Sequence, residues 1–119
     1  MRIGVLCRSE YEYAAHHRVG VRAGLTDADV AHILAGPGGG SGGDPFDDVL
    51  LRAADELFEH DAISNDTWNA LARGGLDTKQ LFDVIVTVDG YRWNSMLISS
   101  AGVQLDENMA DFRFPPSLR

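Results

Sequence analysis

Residues 82–90 read FDVIVTVDG. Val84, Ile85, Val86, Thr87 and Val88 are all β-branched, which favours a strand. Asp89-Gly90 then looks like a hairpin turn. Read as strand and turn, the segment makes the chain a mixed α/β protein. Read as helix, it makes the chain all-α. Length and flanks favour the helix, because apolar residues continue past Asp89-Gly90 through Trp93, Met96 and Leu97 with no proline among them. The segment is therefore expected to lie inside one long helix, from about residue 77, near DTKQ, to about residue 101, before Gly102.

The rest of the chain agrees with that choice. Upstream, Ser64 is placed to cap a helix over SNDTWNALARG that stops at Gly74-Gly75, with Trp68, Leu71 and Ala72 facing inward. Asp44 and Pro45 form an N-cap and first-turn pair for a helix over 45–60. Its apolar stripe is Phe46, Val49, Leu50, Ala53 and Leu57. TDAD at 26–29 resembles a capping box and opens a helix to about residue 35, with Val30, Ile33 and Leu34 on its inner face. Residues 3–23 contain no proline and are expected to form one helix, with Gly24 after its end. These segments predict an all-α, single-domain bundle of about five helices. GPGGGSGGDP, residues 36–45, is expected to be a flexible surface connector, and residues 106–119 an extended arm or a crossing to a neighbouring subunit.

The chain has 119 residues, enough for one domain, and a formal net charge of -8. That charge argues against nucleic acid and anionic membrane surfaces as partners. No apolar run is long enough to span a bilayer, and the first residues, MRIGVLCRSE, make a poor secretory signal, so a cytoplasmic protein is expected. Cys7 is the single cysteine, which excludes an intrachain disulfide and a Cys-x-x-Cys pair. It is expected to be a small buried hydrophobe.

The chemistry is concentrated in SEYEYAAHHR, residues 9–18. At about 100° per residue, Val5, Ser9, Glu12, Tyr13, His16, Gly20 and Ala23 share one helix face. Glu12 and His16 are at i, i+4, so their side chains meet. A carboxylate that orients an imidazole makes an acid–base unit suited to neutral pH. A structural ion pair is the alternative reading. Ser9 and Tyr13 flank the pair as possible hydrogen-bond donors. His17 is expected to be solvated or at an interface, His32 on the outer side of its helix, and His60 a helix-end cation. Glu56 and His60 repeat the ExxxH spacing, but carboxylate-bridged metal bundles use i, i+3, so no metal and no cofactor is expected.

Three segments together carry a family resemblance: LCRSEYEYAAHHRVGVRAGLTDADVAHI, LLRAADELFEHDAISNDTWNAL and FDVIVTVDGYRWNSMLISSAGVQLDE. In that order they resemble the carboxymuconolactone decarboxylase-like family, which includes the alkylhydroperoxidase D-like proteins. The resemblance implies an all-helical fold and a homo-oligomer, trimer or hexamer, with sites near subunit contacts. Where the peroxidase branch carries two cysteines, this chain has Ser9 and Glu12, and His16 matches that branch's histidine. The resemblance therefore implies proton transfer at Glu12 and His16, in a lyase or isomerase acting on a small carboxylated lactone or related acidic metabolite. Tyr91 and Asn94 share one side of the last helix and are expected to form the second wall of the site. Arg8, Arg18, Arg22 or Arg92 would hold a substrate carboxylate. The family usually has a longer N-terminal portion with a further acidic residue, so either the domain is short at that end or its true start lies upstream. A non-catalytic binding or structural module of the same fold is the rival reading, and a peroxidase using Cys7 a third.

Overall fold

The computed structural model describes residues 1–40 and 44–118. The middle of the glycine-rich connector, 41–43, lies outside the described residues, as does Arg119. The described residues form α1 (Arg2–Leu6), α2 (Glu10–Arg22), α3 (Asp27–Ala35), α4 (Pro45–His60), α5 (Asn65–Arg73) and α6 (Thr78–Ser100), followed by 3-10 turns at Glu107–Phe112 and Pro116–Leu118. There is no strand among them, and FDVIVTVDG lies wholly within α6. No helix is long and apolar enough to cross a membrane among the described residues.

The helix starts follow from local chemistry. Thr26 and Asp29 complete a reciprocal capping box on α3, and Asp77 and Gln80 do the same on α6. Asp44 accepts from the Phe46 amide at the start of α4, and Ser64 from the Thr67 amide at the start of α5. Each bond satisfies an amide that has no partner within its own helix.

One expected helix is two. The reading of 3–23 as continuous fails at Cys7–Ser9, where Arg8 takes a left-handed conformation with φ 52°. Neither proline nor glycine marks the break. It lets α1 turn away and bury Ile3 against Ala54, Leu57 and Val88 of α4 and α6. α1 then crosses α2 at Gly4, where an added Cβ would stand 2.8 Å from the Tyr13 backbone nitrogen, so only glycine fits.

A second core cluster joins Ala53, Leu71 and Leu81, with Phe46, Trp68 and Val84 packed around it. Thr67, not Ala72, is the second buried residue of α5, because its hydroxyl reaches back to Glu56. The C-terminal segment is not extended but turned, with two short 3-10 helices. It folds back on α2, with Met109 and Phe114 buried and the Phe114 ring 4.8 Å from that of Tyr13.

The α4–α5 corner carries an acid-sensitive joint. Asp61 ends α4 in a left-handed conformation, φ 56°. The Glu56 carboxylate then accepts from the Ser64 amide at 2.8 Å, the Ser64 hydroxyl at 2.9 Å and the Thr67 hydroxyl at 2.8 Å. Burial alone would raise its pKa, but these donors outweigh it and hold the carboxyl below 4.5, its ordinary value. A depressed folded pKa contributes stability above the unfolded pKa and loses it as pH falls through the folded one. Glu56→Gln is expected to flatten the acid limb of stability below about pH 5. Urea midpoints at several acidic pH values, wild type against variant, check this.

Candidate acid–base site

The face predicted on α2 is largely inward. Ser9, Glu12 and Tyr13 are buried, His16 and Gly20 are half-buried, and Ala23 is exposed. Glu12 is only 4 % exposed. Its two carboxylate oxygens go to different helices. Oε2 meets His16 Nδ1 at 3.1 Å, one turn along α2, and Oε1 accepts from the side-chain amide of Asn94 on α6. His16 Nδ1 also lies 2.9 Å from the Glu12 backbone carbonyl. Both neighbours of Nδ1 are acceptors, so Nδ1 carries the proton and the lone pair of the neutral ring sits on Nε2. The Tyr91 ring stands edge-on to the imidazole, 4.6 Å between centroids.

Four residues named from the sequence, Glu12, His16, Tyr91 and Asn94, are thus together. The other two are set apart from this contact. Tyr13 is 1 % exposed and packs its ring on Phe114 and His17, and burial raises its phenol pKa. Ser9 is the N-cap of α2 but makes no side-chain cap bond. Tyr91 and Asn94 also line a shallow surface depression of about 450 Å³ with Val86, Thr87, Gly90 and Trp93.

The remaining ionisable residues sort differently from expectation. His32 is buried, not outward, and its Nε2 meets Asp48 of α4 at 2.8 Å, while the Gly38 amide donates to the same carboxylate oxygen. Those bonds hold Asp48 below its usual range, the Gly38 amide foremost. His17 is half-buried and packs between Tyr13 and Phe112. Arg18 bonds Asn108 of the arm, and Arg92 bonds Asp61 and lies over the Phe58 ring. Cys7 is half-buried, and burial pushes its thiol pKa up, opposed by the Ser95 hydroxyl and Arg92. The arm's aromatic contacts were missed in the sequence. Their only signal was the three-residue spacing of Met109 and Phe112, one turn of a 3-10 helix.

The chain matches no family model, no curated protein and no solved structure.

Proposed function

We propose that the protein is a small carboxy-lyase or isomerase that moves a proton with His16, oriented by Glu12, on a carboxylated lactone or related acidic metabolite. The observation that supports this most is the His16 geometry. Nδ1 is held by two Glu12 oxygens, and Nε2 has no hydrogen-bond partner among the described residues. In the imidazolium form, Nε2–H is the proton left to hand over. When the bond to the departing carboxylate breaks, carbon dioxide leaves and the bond's electron pair passes through the adjacent double bond to the conjugated lactone carbonyl, giving a dienolate. That dienolate then takes the His16 proton at carbon. Asn94 fixes the far oxygen of Glu12, and the Tyr91 ring limits how the imidazole can turn. The raised Cys7 pKa weighs against the peroxidase reading, since the thiolate is the reacting form. The test is carbon dioxide release from 4-carboxymuconolactone and related lactone acids, followed with purified protein.

A second reading has its own support. One Glu12 oxygen ties α2 to α6 and the other stays on His16 within α2, an arrangement that a purely structural contact would also give. No turnover with any lactone acid would favour that reading.

The same proposal includes a cytoplasmic homo-oligomer, trimer or hexamer. Its support is the outer side of α6. Phe82, Val86, Trp93 and Leu97 are exposed at spacings of four, seven and four, with Val86 69 % and Trp93 61 % exposed. Gly90 lies in the same line with open space around it. A mid-helix glycine costs about 1 kcal/mol relative to alanine, and close approach of a second backbone would offset that. Trp93→Glu is expected to shift sedimentation to the monomer. Gly90→Ala is expected to weaken association while making the isolated monomer more stable. Unchanged assembly in both variants would remove this surface from the interface.

A further inference from the structure

Four large apolar side chains stand out from α6: Phe82, Val86, Trp93 and Leu97, which are 57, 69, 61 and 51 % exposed. At about 100° per residue they share a stripe about 60° wide. Phe82 is exposed even though Trp68 of α5 braces its ring, 6.1 Å between centroids. The nearest charges on that side, Lys79 and Asp83, are paired with each other at 2.7 Å, so covering the stripe strands neither of them.

The stripe is symmetric along the helix. Phe82 and Leu97 are equally far from the bond between Asp89 and Gly90, and so are Val86 and Trp93. A second copy running antiparallel sets Phe82 against Leu97 and Val86 against Trp93, and the same contacts repeat in reverse across a twofold axis. A self-complementary patch of this kind is what an isologous pair requires and what an unrelated partner does not. Gly90 lies beside the stripe at its midpoint, with open space where a side chain would stand. It lets two backbones come close where they cross. The four side chains expose roughly 500 Å² on each copy, so a pair buries about 1,000 Å², the lower bound of a specific interface.

We propose that α6 pairs with α6 of a second copy of this chain, antiparallel, about a twofold axis at Asp89-Gly90. This rests on the homo-oligomer proposed above and narrows it, because a twofold contact joins two trimers into a hexamer and is absent from a lone trimer. A twofold axis sets each rim of the stripe against itself. Gly90 therefore meets its mate on one rim, and Asp89 meets its mate on the other. The Gly90 rim also carries the depression lined by Tyr91 and Asn94. The second copy's α6 becomes a wall of that depression, one ring away from His16. The Asp89 rim brings two carboxylates together and weakens the pairing.

Disulfide trapping in the full chain, with Cys7→Ser as background, reads the axis directly. Asp89→Cys is expected to link into a dimer under mild oxidation, because its mate lies just across the axis. Phe82→Cys alone and Leu97→Cys alone are expected not to link, since each stands about 22 Å from its mate along the helix. The double variant Phe82→Cys with Leu97→Cys is expected to link. Asp89→Asn is expected to tighten association about two- to fivefold in sedimentation, and added salt to shrink that gain. Linking of Phe82→Cys alone would mean a parallel pair and overturn the proposal. An oligomer in which Asp89→Cys stays unlinked would overturn this pairing and leave the oligomer standing on another surface. A monomer at every concentration would overturn both.

Discussion

His16→Gln is expected to lower turnover of a lactone acid by about 10²- to 10⁴-fold, the range that one positioned acid–base group supplies. Stability should change by less than about 1 kcal/mol. The imidazole is about one-third exposed, and its contacts are the two Glu12 oxygens at Nδ1 and the edge of the Tyr91 ring, so little packing is lost. Glutamine keeps an N–H that can reach Glu12 but offers no group that can take up and hand over a proton. A parallel loss of activity and melting temperature would assign His16 to the fold. A loss of activity alone would assign it to the chemistry. Turnover equal to wild type would end the acid–base proposal.

Glu12→Ala is expected to destabilise the fold by about 1–3 kcal/mol, the usual cost of leaving a buried donor without its acceptor. The Asn94 amide loses its acceptor, and His16 Nδ1–H keeps only the backbone carbonyl of residue 12. Glu12→Gln should cost clearly less. Its one carbonyl oxygen can still accept from His16, and Asn94 can flip to present its own oxygen to the new amide. Urea unfolding of the two variants gives the order directly. A rank of alanine below glutamine, with both folded enough to measure, supports the clamp between α2 and α6. Equal small losses would mean that the α2–α6 contact is held by apolar packing instead.

What could be read from the chain follows the range of the forces involved. Helix starts are local, and Thr26, Asp44-Pro45, Ser64 and Asp77 mark theirs within three residues. The Glu12–His16 contact is equally local, one helical turn. The break at Cys7–Ser9 is different. Nothing in the side chains there opposes a helix, and the turn is imposed by Ile3 finding α4 and α6. His32 was misplaced for a similar reason. A polar residue on a helix face is read as outward, yet Asp48, 16 residues later, pairs with its Nε2 inside. FDVIVTVDG shows the reverse case, in which strand propensity lost to two long flanks and a capped start.

The folded-back arm has a consequence for how the protein reaches this state. The bond from Tyr11 to Asp106 spans 95 positions, and the one from Arg18 to Asn108 spans 90. Phe114 covers Tyr13 across a similar separation. A ribosome makes residues in order, so the aromatic face of α2 emerges early and waits for its cover until nearly all of this chain has followed. Contacts this distant also carry a large loop-closure cost and form late. The early helices therefore pass through synthesis with Tyr13 and His17 open to water, and the burial of that face is an event that follows translation of the arm.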